Sequence, residues 1–188
     1  MGLPIETEQR LSAEAFMAWV DMQPEERRYE LLDGSVFEMQ SERAIHGRAK
    51  GRIFIAFGRQ IAERGLPCET FTDGMAVRVD DETIFQPDAL LRCGQPVQDD
   101  TILVTDPMIV VEVTSPSTQR IDALQKFTRY FRNPAIIHYL MVIPAKKTAF
   151  HHQRMASGQI VTRSYERGVI RFDPPGVDLD LAEVWGER

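Results

Sequence analysis

The sequence predicts an α/β fold in which a mixed central β-sheet is flanked by helices, and three observations carry that prediction. The hydrophobic period changes along the chain, from four residues between Ala49 and Ile61 to two between Met75 and Val79. The nearly all-apolar run Met108-Ile109-Val110-Val111-Glu112-Val113 has the composition of a strand covered on both faces. A helical pattern and a second apolar run, 136–143, follow it, which makes a βαβ unit with a right-handed crossover. At 188 residues the chain suits one substantial core and is short for two. Residues 1–188 are therefore expected to form one domain: a helix and hairpin about 12–40, the core about 41–143, and C-terminal strands and a tail about 144–188.

Taken in order, Ser12 offers an N-cap ahead of Phe16, Trp19 and Val20, which share a helical face, and Pro24 closes the pattern, so 12–22 reads as a short amphipathic helix. Two β-type runs surround Asp33-Gly34, a dipeptide that accepts the positive φ of a tight turn, and 29–39 reads as a hairpin. Ala49, Ile53, Phe57 and Ile61 form the stripe of a long helix over 43–64, stopped by Gly65 and Pro67. Its polar side is expected to carry Arg43, Arg48, Lys50, Arg52 and Arg59. Met75, Val77 and Val79 begin another hairpin, whose second strand is expected over 84–91 beyond the turn Asp80-Asp81-Glu82. A loop over 93–107 leads to the apolar strand. Ser115-Pro116-Ser117-Thr118 then ends that strand and caps a helix marked by Ile121, Leu124, Phe127 and Phe131. After the 136–143 strand, two strands near 148–154 and 159–165 join at Ser157-Gly158, and 179–185 reads as a docking turn or helix. His151 and His152 point to opposite strand faces and are expected at a solvated edge rather than in a metal site.

Composition narrows the function. A hydrophobic fraction of 43% and a charged fraction of 27% exclude disorder and fibrous classes. No apolar run approaches the ~18 residues of a membrane span, and the first residues lack the pattern of a signal peptide, so a cytoplasmic address and no membrane partner are expected. Cys68 and Cys93, without CxxC spacing, are expected as free thiols. A net charge of −6 opposes avid nonspecific nucleic-acid binding. The charges are nevertheless segregated: residues 41–64 carry 6 bases and 2 acids, and residues 114–172 carry 10 and 2. That permits a basic face on an acidic protein.

Two carboxylates stand out of character. Glu112 interrupts a buried strand, where an ionised group is expensive unless paired or bound to a cation. Asp88 follows Pro87, which cannot donate to a sheet ladder and so marks an irregularity. On neighbouring strands the two would form a hard-oxygen site suited to magnesium or manganese; the plain alternative is an arginine partner for Glu112 and a turn cap for Asp88. Glu112 and Thr114 share a strand face, the geometry of an E-x-K signature with threonine in place of lysine. On the next helix Asp122 and Lys126 share a face four residues apart, and the long side chain of Lys126 can reach the same point, which makes it the candidate displaced lysine. His46, on the polar side of the long helix, is a candidate proton carrier or supporting donor.

The string Arg28-Tyr29-Glu30-Leu31-Leu32-Asp33-Gly34, then His46, Pro87-Asp88, Val111-Glu112-Val113-Thr114-Ser115-Pro116-Ser117-Thr118, Asp122, Lys126 and Tyr139 resembles the Uma-two family. These are bacterial endonuclease domains of the PD-(D/E)XK superfamily, and the resemblance runs from about residue 12 to residue 185. It implies a restriction-endonuclease-like core with Asp88 and Glu112 as ligands of Mg²⁺ or Mn²⁺, Lys126 as the migrated basic residue and Glu30 as an additional acid. It departs mildly from the pattern in Phe85-Gln86 before Pro87 and in His138 before Tyr139. The reaction it implies is phosphodiester hydrolysis, with nucleic acid, DNA in the first place, as partner and a homodimer as a candidate assembly. The basic stretch 43–59 and Arg120, Arg129 and Arg132 would contact backbone phosphates. Two rivals remain open: a nuclease-fold protein that has lost catalysis and serves as a binding or assembly module, and a metal-dependent hydrolase of a non-nucleic substrate.

Overall fold

The computed structural model describes residues 4–5, 9–114 and 122–187, with the backbone alone at 122–124. Along the chain run β1 (Pro4–Ile5), α1 (Ala13–Val20), β2 (Tyr29–Leu32), β3 (Ser35–Glu38), α2 (Ala44–Arg64), β4 (Cys68–Thr72) and β5 (Ala76–Asp80). Next come β6 (Thr83–Phe85), β7 (Ala89–Cys93), β8 (Leu103–Val104), β9 (Ile109–Val113), α3 (Asp122–Tyr130) and β10 (His138–Ile143). The chain finishes with β11 (Thr148–Arg154), β12 (Ile160–Tyr165), β13 (Val169–Phe172), β14 (Val177–Asp180) and α4 (Leu181–Trp185). A first sheet has the order β1-β3-β2-β6-β5-β8, a second the order β12-β11-β10-β9-β7-β4, and β13-β14 form a separate ribbon. In the second sheet β9 and β10 are parallel with α3 between them, the expected βαβ unit, and the other pairings are antiparallel.

Local signals place the early elements where expected. The Ser12 side chain accepts from the Ala15 N–H at the start of α1. Asp33 and Gly34 both have positive φ, 46° and 77°, in the β2–β3 turn. Gly65, at φ 60°, ends α2 with its N–H on the Ile61 and Ala62 carbonyls. The stripe Ala49, Ile53 and Phe57 is buried against Leu91, Ile109, Val111, Leu140 and the β13–β14 ribbon. The opposite face of the second sheet shares a core with the first sheet and α3, in which Leu90, Val110 and Tyr139 meet Val77, Phe85 and Tyr130. The second sheet is thus covered on both faces, which is why β9 reads as continuously apolar.

Four expectations are corrected. The hairpin strand over 84–91 is two strands: β6 pairs with β5 in the first sheet, and β7 pairs with β9 and β4 in the second. Pro87 has no N–H to continue the first ladder, and the Asp88 N–H already donates to the Val111 carbonyl at 2.9 Å, so Gln86-Pro87-Asp88 carry the chain between sheets. The loop over 93–107 contains β8, and β13 and β14 are strands where none was expected, although Val177-Asp178-Leu179-Asp180 alternates buried and half-buried positions. Cys68 and Cys93 are joined by a disulfide, because the antiparallel register of β4 and β7 sets them opposite each other with Cα atoms 3.9 Å apart. Their separation of 25 residues holds no trace of that register.

The fourth correction concerns His151, which is buried on β11, an interior strand between β10 and β12. Its Nε2 lies 2.9 Å from His138 Nδ1, and His138 Nε2 lies 2.9 Å from the Pro174 carbonyl. The carbonyl can only accept, so His138 carries its hydrogen on Nε2 and His151 donates to Nδ1. Burial lowers His138 to about 4, against the opposing Pro174 carbonyl, and His151 to about 3. Because the unfolded chain takes up protons near pH 6.5 and the folded pair does not, this stability is complete above about pH 6.5 and is lost as pH falls toward 4. Urea unfolding at pH 7 and pH 4.5 should show a decline that is smaller in the His138→Gln variant, by an amount on the order of 2 kcal/mol, since buried His151 and half-buried His152 remain there. Parallel declines in the two proteins would contradict the neutral pair.

Candidate functional site

Three strands from two sheets and two helices converge where the chain crosses between sheets. Ala89 faces Val111 in the β7–β9 register, so one step further Asp88 stands opposite Glu112. The Val113 N–H donates to Asp88 Oδ2 at 2.5 Å, which fixes the carboxylate beside the strand that carries Glu112. Their side chains are 13% and 14% exposed. Glu30 enters from β2, with Oε1 accepting from the Gln86 backbone N–H at 3.0 Å. Lys126 of α3 links the acids, with Nζ 2.7 Å from Glu30 Oε1 and 3.0 Å from Glu112 Oε1. Tyr130, one turn on, donates to the same Glu112 oxygen at 2.7 Å, and the Lys126 amine sits 5.0 Å from the Phe85 ring centre.

Lys50 was not among the residues expected here. It was expected on the polar side of α2, yet it is buried, and its Nζ bonds Asp88 Oδ1 at 2.8 Å, Asp73 Oδ1 at 2.8 Å and Glu42 Oε1 at 2.7 Å. A signal for it was present in the sequence: Lys50, Ile53 and Phe57 recur at three and four residues and so share the buried face. Each carboxylate therefore has its own lysine, Lys50 on Asp88 and Lys126 on Glu112.

The energetics follow from burial. Burial pushes the Glu112 carboxyl up; Lys126 opposes the rise, Asp88 and Glu30 add to it, and the group ends at about 7. Asp88 is raised chiefly by burial against the pull of Lys50. Burial works against the charge of Lys126, but Glu112 and Glu30 outweigh it and raise its pKa, and Lys50 is raised in the same way by Asp88, Asp73 and Glu42. Burial and Glu112 raise the Tyr130 phenol, which stays a proton donor. Three buried or half-buried carboxyl groups, Glu30, Asp88 and Glu112, thus face two ammonium groups, and a further cation would relieve their mutual repulsion.

Carboxylate oxygens such as those of Asp88 and Glu112 are the donor type that a hard divalent ion takes. Among the described residues no group of three or more His, Cys, Asp or Glu side chains is placed to hold a metal ion. Magnesium, however, is commonly held by one or two carboxylates with the remaining positions left to water and phosphate. The buried amide oxygen of Gln86, two residues before Asp88, has no hydrogen-bond partner among the described residues and could accept from a coordinated water.

Of the remaining expected residues, His46 is half-buried one turn before Lys50; its backbone N–H donates to the Arg43 carbonyl, and its side chain makes no hydrogen bond among the described residues. Thr114 continues β9, its N–H donating to the Val142 carbonyl at 2.8 Å. Arg120 and the Ser115-Pro116-Ser117-Thr118 cap lie outside the described residues, as does the side chain of Asp122. The expected basic face is smaller than its sequence count. Arg52 donates to the Val184 carbonyl, Arg59 pairs with Glu183, and Arg129 and Arg132 pair with Asp33. Arg43 and Arg48 remain exposed near the start of α2.

Residues 13–182 match the Uma2 family, described as "Putative restriction endonuclease". The chain is 30% identical over 134 residues to "Uncharacterized protein slr1290" of Synechocystis sp., covering 71% of this chain and 68% of that protein. It is 26% identical over 133 residues to "Uncharacterized protein sll1609" of the same organism, covering 69% and 74%. The fold is similar to the crystal structure of "a putative nuclease belonging to DUF820" from Anabaena variabilis, with a TM-score of 0.75 over 94% of this chain and 98% of that one. At 11% identity this last likeness bears on the fold alone.

Proposed function

This chain belongs to the Uma2 family and has a restriction-endonuclease-like fold, and from that premise we propose that it is a metal-dependent endonuclease hydrolysing phosphodiester bonds in DNA. The observation that carries the reading is Asp88 beside Glu112 on antiparallel strands, with the Lys126 ammonium on Glu112. A bound Mg²⁺ or Mn²⁺ would supply Lewis-acid stabilisation of the phosphate and activation of water. Asp88 and Glu112 would hold it. Lys50 and the Val113 N–H fix the orientation of Asp88, and Tyr130 with Lys126 fixes that of Glu112. Lys126 has three N–H donors and gives two to Glu112 and Glu30, which leaves one for the attacking water or a phosphoryl oxygen. Its raised pKa keeps it protonated, so its role is electrostatic rather than that of a base.

One observation favours a second reading, a nuclease-fold protein that binds without cutting: the two lysines already neutralise Asp88 and Glu112 without a metal. Incubation with plasmid, single-stranded and structured DNA, with Mg²⁺, Mn²⁺ or EDTA, separates the readings. The nuclease reading expects divalent-dependent cleavage that falls at least ~100-fold in the Asp88→Asn variant. Cleavage that survives unchanged in that variant would remove Asp88 from the reaction, and binding without cleavage under every condition would support the second reading.

A further inference from the structure

Beside the carboxylates lies a cleft that no step above uses. It has a volume of about 400 Å³ and is bounded by α2, the edge strand β4, the turn after it and residues 101–102. Phe54, Phe71, Met75 and Ile102 supply apolar walls, and Asp73 closes one side. Phe54 is 36% exposed and Ile102 55%, unusual for large apolar side chains set this close together.

Two connections tie the cleft to the site. The Asp73 carboxylate shares the Lys50 ammonium with Asp88, at 2.8 Å on each side. Lys50 and Phe54 are also four residues apart on α2, so they lie on one helix face, ~6 Å from each other along the axis. A stacked strand advances ~3.4 Å per nucleotide. A phosphate held at Asp88 would therefore bring a base one or two nucleotides away toward Phe54. The same face of α2 is bare at Gly47 and Gly51, where an added Cβ would meet nothing within 4 Å, so a strand can lie close to the helix backbone. Exposed Arg43 and Arg48 are available to its phosphates, and the Asp73 charge is already paired with Lys50.

We propose that this cleft takes an unpaired nucleobase, stacked on Phe54, from the strand whose phosphate lies at Asp88 and Glu112. The proposal rests on the nuclease reading for that phosphate and adds a preference for single-stranded or frayed DNA over closed duplex. Base stacking on an aromatic side chain tolerates any base, since every base presents a π-face.

The test is fluorescence anisotropy of the full chain with labelled oligodeoxythymidine and a labelled hairpin duplex, with Ca²⁺ in place of Mg²⁺ and the oligonucleotides checked to be intact after the titration. The parent should bind the single strand more tightly at equal salt. Phe54→Ala should weaken single-strand binding roughly 10-fold and leave duplex binding within about twofold, while Phe54→Trp should restore it and show indole quenching on titration with the oligonucleotide. Phe54→Ala binding the single strand as the parent does, equal losses for both substrates, or an unquenched indole would each overturn the proposal. The two readings fail separately: single-strand preference without cleavage in any metal counts against the nuclease alone, and metal-dependent cleavage without that preference counts against the nucleobase cleft alone.

Discussion

Lys126→Ala should destabilise the fold by about 3–5 kcal/mol, the cost of removing one partner from a buried ion pair. The ammonium holds Glu30 and Glu112, which come from different sheets, so its loss leaves two carboxylates facing each other across the sheet junction with Tyr130 as the remaining side-chain donor to Glu112. For a domain whose total stability is ~5–15 kcal/mol, this is the largest single-residue effect expected outside the hydrophobic core. Urea denaturation measures it. Adding Glu112→Gln to Lys126→Ala should recover part of the loss, because the second change removes one of the stranded charges, and the cycle should be clearly non-additive. A loss below about 1 kcal/mol, or strict additivity, would mean that the acids are not held by this lysine.

Glu112→Gln is expected to have the opposite profile, with little effect on folding and a severe one on function. Glutamine keeps the shape of the side chain and an oxygen that can accept from Lys126 and Tyr130, while Lys126 retains Glu30 as its counter-ion. Stability should therefore change by no more than about 1 kcal/mol. The negative charge that would attract a divalent ion is gone, and with it one of the two carboxylates available to hold that ion. Cation affinity should fall by at least ~100-fold, and DNA cleavage should fall with it. The contrast between these variants separates a residue that holds the fold from one that serves the chemistry, although the two side chains touch.

What could be read from the sequence was what depends on neighbours along the chain. Ser12 acts through a cap to a backbone N–H three residues on and Asp33-Gly34 and Gly65 through their own backbone geometry, and each bounds its element where expected. Glu112 stood out because its strand is otherwise apolar, and Lys126 because its long side chain on the following helix can reach the point where Thr114 replaces the expected lysine. What could not be read depends on register between distant strands. Cys68 meets Cys93, and His138 meets His151, through pairings that composition does not encode. The switch of sheet at Pro87 was visible as an irregularity but not as a crossing, since a missing N–H marks where a ladder stops and not where the chain goes next. Lys50 is the instructive miss. Its sign placed it with the arginines of α2, whereas its spacing from Ile53 and Phe57 placed it inside, and in the structure the spacing prevails because Asp88, Asp73 and Glu42 supply compensating charge. Arg129 of α3 and Arg132 just beyond it err in the other direction: both looked free for phosphates and are engaged by Asp33.

The central claim is that Asp88 and Glu112 together hold a divalent cation. Isothermal titration calorimetry of Mn²⁺ and Mg²⁺ into the purified chain at neutral pH, beside Glu112→Gln and Asp88→Asn, tests it without requiring a substrate. The account predicts saturable binding by the parent and its loss in both variants while their folds remain intact. Binding that is unchanged in Glu112→Gln, or a parent chain that binds neither ion, would contradict it.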